Sequence, residues 1–119
     1  MGWIIAILLV HFIADFILQT RWQATNKSKR WDALACHCLS YGLCLWVLPL
    51  IGVTTFGPWV WVWPNLNMFL HFITDAITSR QTAREWNDGK PTKAFWVWIG
   101  FDQWIHTATL IGTWYWLTN

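Results

Sequence analysis

The sequence predicts an all-α integral membrane four-helix bundle. Three observations carry the prediction. Apolar residues make up 55% of the 119-residue chain and charged residues only 12%, about half the charged share of a soluble domain. The apolar residues gather into four segments, at about 2–19, 33–53, 65–79 and 94–117. All eight Lys and Arg fall in two of the connections: Arg21, Lys27, Lys29 and Arg30, then Arg80, Arg84, Lys90 and Lys93.

The first segment runs from Gly2 to about Gln19 and is long enough to cross a bilayer. It has no basic flank and no small-residue cleavage site, so it reads as a retained transmembrane helix rather than a signal peptide. The second, from Ala33, carries Pro49 near its far end. A short stretch with Trp59, Trp61 and Trp63 follows, a composition suited to the membrane–water interface. The third segment is short for a span unless that stretch completes its crossing. Asp88-Gly89 and Pro91 mark turns in the second basic connection. The fourth segment closes the chain, which is long enough for a single domain.

With four spans, the two basic connections lie on one side, and the positive-inside rule makes that side cytoplasmic. Both termini then face outward. A net charge of +2 is too small to imply a nucleic-acid partner, and no basic stripe is broad enough to follow a phosphate backbone, so none is expected. The thirteen tryptophans point to lipid as the partner. Cys36, Cys38 and Cys44 imply no disulfide framework. Cys36-His37-Cys38 does not form one ligand face on a helix, so the cysteines read as packing residues.

Three of the four histidines pair with an aspartate at helical spacing. These are His11 with Asp15, His71 with Asp75, and Asp102 with His106 in reversed order. Residues four apart share a helix face. Spans one and three run in one direction and span four in the other, so the reversal restores one vertical order. The imidazoles lie about 6 Å deeper than the carboxylates in every case. His37 falls near the carboxylate layer. The similarity of His11-Phe-Ile-Ala-Asp15 to His71-Phe-Ile-Thr-Asp75 suggests two helical hairpins related as a pseudo-repeat.

Three intramembrane carboxylates need compensation, at about 2.5–3.5 kcal/mol each for a lone helix. A divalent cation supplies it. The expected ligands are His11, Asp15, His37, His71, Asp75, Asp102 and His106. Such donors suit zinc, manganese or iron, and seven of them suffice for one or two ions. His37 and Asp15 are the candidate proton acceptors. Gln19 and Gln103 are candidates for holding ligands in place or for bridging helices. Lys27 and Arg80 are candidate contacts for a lipid head group.

At these residues the chain resembles a family of small bacterial and phage membrane proteins, domain of unknown function 3307. The resemblance rests on His11-Phe-Ile-Ala-Asp15-Phe-Ile-Leu-Gln19, Asn26-Lys27-Ser28-Lys29, His37 to Tyr41, His71-Phe-Ile-Thr-Asp75 and Asp102-Gln103-Trp-Ile-His106. It covers almost the whole chain and implies a bacterial inner-membrane or phage setting. A looser similarity links it to inner-membrane proteins described as metal-dependent hydrolases. The expected function is metal-dependent hydrolysis of a lipid or lipid-linked substrate. A metal-ion or proton transporter, a haem-binding membrane anchor and a non-enzymatic phage membrane effector stay open, as does a homo-oligomer.

Overall fold

The computed structural model describes residues 1–119. The chain is all-α apart from one two-residue hairpin. Its elements are α1 (Gly2–Phe12), a π-helical turn (Ile13–Ile17), α2 (Arg21–Asn26), α3 (Trp31–Leu45), α4 (Val47–Phe56), a 3-10 turn (Pro58–Trp61), α5 (Val62–Arg84), β1 (Trp86–Asn87), β2 (Lys90–Pro91) and α6 (Lys93–Thr118). The four long helical stretches correspond to the four apolar segments.

The differences from the expected segments have local causes. The second segment is one 26-residue helical run, Trp31–Phe56, interrupted at Trp46. Pro49 explains the interruption. It has no N–H for the Leu45 carbonyl, and its ring crowds that carbonyl. Gly57, at φ 82°, ends α4 in a conformation that disfavours any side chain. The third segment is longer than expected, because α5 has 23 residues and draws in both Pro64 and Arg84. Pro64 is tolerated there, in the first turn, where N–H groups lack helical partners anyway. The first basic connection contains α2, opened by a capping box between Thr20 and Gln23. Asp88 and Gly89 both have positive φ and join β1 to β2, the turn expected of that dipeptide.

Of the helical stretches, one is long and apolar enough to cross a membrane by length and composition, Trp31–Phe56; Gly2–Ile17 is apolar but shorter. Helices α5 and α6 have the length. Their hydropathy is lowered by the Asn, Thr, His and Asp residues they turn inward and by their polar ends.

The bundle has two unlike ends. At one end Trp3, Phe56, Trp63 and Trp114 pack with ring centroids 4.9–5.3 Å apart. The Trp63 indole donates to the Leu110 carbonyl. This cluster holds the starts of α1 and α5 beside the end of α6, so α1 and α5 run in parallel, as the pseudo-repeat requires. Ile7, Tyr41, Leu45, Leu48 and Val60 extend the same apolar core. At the other end, both basic connections border one cavity. Between the ends, α3 and α5 approach closely at Gly42, where an added Cβ would lie 2.9 Å or less from three Met68 side-chain atoms.

Candidate metal centre

Four side-chain atoms from three elements meet in the middle of the bundle. The Nε2 atom of His37 (α3) lies 3.1 Å from Asp15 Oδ1 and 3.4 Å from Asp75 Oδ2. It lies 3.0 Å from His71 Nε2. His71 Nε2 (α5) lies 3.7 Å from Asp15 Oδ1 and 3.5 Å from Asp75 Oδ2. Ligand bonds of about 2.0–2.1 Å in a tetrahedron place neighbouring ligand atoms about 3.3–3.4 Å apart. The five separations straddle that value. Two imidazoles and two carboxylates are also the donor set that suits zinc and its neighbours. The residues therefore fit a divalent cation. Both Nδ1 atoms, of His37 and His71, are buried without a protein partner. An imidazole ligating through Nε2 carries its proton on Nδ1, so each calls for an ordered water as acceptor.

A second group shares Asp15. Asp15, Asp102 and His106 bring ligand atoms within 4.8 Å of one another. His106 Nε2 lies 3.2 Å from Asp102 Oδ1 and 3.1 Å from Asp75 Oδ1. Asp15 is thus common to both groups, and Asp75 faces both with its two oxygens. A carboxylate between two ions is the usual arrangement of two-metal sites.

The two repeats differ at their aspartates. Asp75 stays near His71 on the regular helix α5, at 3.5 Å. Asp15 lies in the π-helical turn, closed by the Leu18 N–H bond to the Ile13 carbonyl. The wider turn rotates Asp15 away from His11 and onto His37. Gln19 holds this turn by donating to the Asp15 carbonyl. Short π turns often occur at functional sites.

His11, expected among the ligands, belongs to neither group. Its Nε2 lies 3.0 Å from Gln103 Oε1, and its Nδ1 lies 3.1 Å from the Tyr41 hydroxyl. Gln103 spends its amide N–H groups on Asp15 Oδ2 at 2.9 Å and Asp102 Oδ2 at 3.1 Å. Its oxygen must therefore face His11, which donates from Nε2. Nδ1 of the neutral ring then accepts from Tyr41. His11 orients Gln103, and Gln103 fixes the two carboxylates.

Lys27, expected at a lipid head group, instead reaches inward and donates to Asp75 Oδ2 at 2.7 Å. Burial opposes its charge, but Asp75 and Asp15 outweigh burial and hold the amine above the ordinary lysine value. Three carboxylates against this one ammonium leave two negative charges, the complement of one divalent cation. Arg80 donates to the Ala76 carbonyl and lies over the Trp31 ring at 4.2 Å, a cation–π contact at the bundle surface.

A cavity of about 590 Å³ leads from the basic-loop end to the centre. Asp15, Asp102 and Gln103 border it, whereas His37 and His71 lie behind Asp15 and do not. Thr78, also on its wall, donates to Asp102. The roles of Thr78 and Tyr41 were not read from the sequence. For Thr78 a signal existed, since His71, Asp75 and Thr78 fall at i, i+4 and i+7 on one helix face.

No curated protein and no solved structure matches the chain. Residues 3–119 match a protein family described only as "Protein of unknown function (DUF3307)", and the chain belongs to that family.

Proposed function

We propose that the chain is an integral membrane hydrolase that uses one or two divalent cations to cleave a lipid or lipid-linked substrate. The observation that carries this reading is the convergence of His37, His71, Asp15 and Asp75 at tetrahedral spacing, at the inner end of a cavity open to one side.

The distribution of side chains supports the membrane setting. Nine of the 25 buried residues are polar or charged, while Leu8, Leu9, Leu39, Leu43, Leu50, Ile51, Phe69 and Trp104 are exposed. A soluble fold buries the second class and exposes the first. Lipid reverses the preference on the outer surface. The basic connections then face the cytoplasm, and the cavity opens on that side.

A bound cation would polarise the scissile group and activate a water. Asp15, His37, His71 and Asp75 would hold it. Because four protein donors already fill a tetrahedron, the water would need either a fifth coordination position there or a second ion on Asp15, Asp102 and His106, a three-donor group that keeps a position open. Asp102 is the carboxylate best placed to take a proton, because its side chain borders the cavity and is 14% exposed. His37 is fully buried and serves as a ligand in this reading.

Transport fits less well. Tyr41, Leu45, Leu48, Trp63, Leu110 and Trp114 fill the bundle between the centre and the opposite end. They offer an ion no polar path. Haem fits less well again, since two Nε2 atoms 3.0 Å apart leave no slot for a porphyrin between them. The reading is tested by elemental analysis of gently purified protein, followed by turnover assays across a lipid panel with and without chelator. Stoichiometric metal and chelator-sensitive cleavage are expected. Protein without metal, or robust ion flux in liposomes with no cleavage, would sink it.

A further inference from the structure

We infer that the cavity binds a phosphate ester of an apolar alcohol, its phosphate lying between the Asp15–Asp102 floor and Lys29. This rests on the hydrolase reading above and names its substrate class.

The cavity is amphiphilic. Thr25, Ser28, Thr78, Ser79 and Thr82 bring hydroxyls to its wall, with Lys27 and Lys29. Phe16, Trp86, Phe95 and Ile99 form an apolar wall. Phe16 is 52% and Trp86 51% exposed, so this wall continues to the outer surface and gives an acyl or prenyl chain an exit.

Two polar atoms on cavity residues lack partners. Ser79 Oγ and Gln19 Oε1 are buried and make no hydrogen bond within the protein. Unmade bonds of this kind are unfavourable. Turned toward the cavity, the Ser79 hydroxyl would donate to a phosphate oxygen, and a water would donate to the Gln19 oxygen. Among the basic residues here, Lys27 is held by Asp75 and Arg30 by Asp32. Lys29 is exposed and has no carboxylate partner.

The charge balance selects an anion. One divalent cation neutralises the three carboxylates and Lys27. A second, at Asp15, Asp102 and His106, leaves two positive charges in excess. A phosphate monoester dianion cancels them, whereas a neutral carboxylic ester does not. Without cations, the acidic floor would repel the same phosphate, so binding of anion and metal should be coupled.

Hydrolysis balances as follows. The oxygen of water bonds to phosphorus, and the bond from phosphorus to the alcohol oxygen breaks. One proton of the attacking water passes through cavity water to the oxygen of the departing alcohol. The products are phosphate and the apolar alcohol.

The test uses the full chain in detergent with manganese or zinc. Long-chain phosphatidic acid is compared with diacylglycerol and with a short, water-soluble phosphate ester. Phosphate release from phosphatidic acid is expected, with no fatty-acid release from either lipid. Lys29→Glu should raise KM roughly tenfold and leave kcat nearly unchanged, as expected for a lost charge-assisted contact. Native mass spectrometry should show phosphatidic acid retained over diacylglycerol by metal-loaded protein, less so by Lys29→Glu. Fatty-acid release without phosphate release would overturn this inference and leave the hydrolase reading standing. Equal turnover of the short ester would overturn the apolar-alcohol assignment. An unchanged KM in Lys29→Glu would overturn the placement of the phosphate. Absence of both turnover and selective retention would overturn both readings.

Discussion

His37 on α3 and His71 on α5 point their Nε2 atoms at each other across 3.0 Å. Two neutral imidazoles in that position can share only one hydrogen bond, yet Asp15 and Asp75 oxygens crowd the same point. A cation there would be within reach of all four. His71→Ala should therefore abolish stoichiometric metal. His11→Ala should retain it, with affinity lowered about 10–100-fold through the loosened Gln103. Elemental analysis and chelator competition separate the two outcomes. Equal loss in both variants would make His11 a direct ligand.

That contrast marks what was legible in the sequence. The all-α class follows from the apolar segments, and the structure has it; residues of both basic connections also border one cavity, as their charge pattern suggests. His71–Asp75 and Asp102–His106 lie on regular helices, so their pairing followed from the 3.6-residue period. His11 and Asp15 have the same spacing, but the π turn breaks that period between them. Nothing in the residue types of Ile13–Ile17 announces a π turn. Lys27 was misread for a related reason. The capping box turns α2 so that its C-terminal lysine enters the bundle, and reach of that kind is set by a loop path rather than by periodicity.

Lys27 is the only ammonium paired with the buried carboxylates. Lys27→Met should destabilise the metal-free protein by about 3–5 kcal/mol, since Asp75 would lose its partner. Metal should restore more stability to this variant than to the wild type. Because the folded amine titrates above its unfolded value, its contribution is fully present below the ordinary lysine range. It is lost as pH rises through the folded pKa. Thermal unfolding with and without chelator at neutral and alkaline pH checks both points. A variant as stable as wild type in chelator would remove Lys27 from the charge balance.

Gly42 sets the distance between the helices that carry His37 and His71. Gly42→Val would press on the base of the Met68 side chain, which cannot rotate away at its Cβ. A loss of about 1–3 kcal/mol is expected from such overpacking. Metal affinity should fall in the same variant, because α3 and α5 must part. Unfolding and metal competition measured together would show it; a destabilised protein with unchanged metal affinity would separate packing from the centre.

The confinement of all eight basic residues to one end of the bundle predicts a topology. Cysteine labelling should find Lys27→Cys and Lys90→Cys accessible from the cytoplasm and Asn119→Cys from outside. A cytoplasmic Asn119 would invert or reduce the four-span arrangement, and would place the cavity on the wrong leaflet for a cytoplasmic lipid head group.

Asp15 provides the sharpest separation between one centre and two. It belongs to the His37–His71–Asp75 group and to the Asp102–His106 group, whereas Asp102 belongs to the second alone. Asp15→Asn keeps the size and polarity of the side chain and removes the anionic donor from both. With its amide oxygen turned to Gln103, the new side chain would still accept from Gln103 Nε2, so packing should change little. Asp102→Asn leaves the tetrahedral set intact, and Thr78 can still donate to the amide oxygen. If both groups hold ions, metal content should fall to near zero in Asp15→Asn and by half in Asp102→Asn. If the tetrahedral group alone is occupied, Asp102→Asn should keep the full metal content and lose turnover through its proton-handling role. Metal retained at wild-type stoichiometry in Asp15→Asn would exclude Asp15 as a ligand of either group, and with it the shared-carboxylate arrangement.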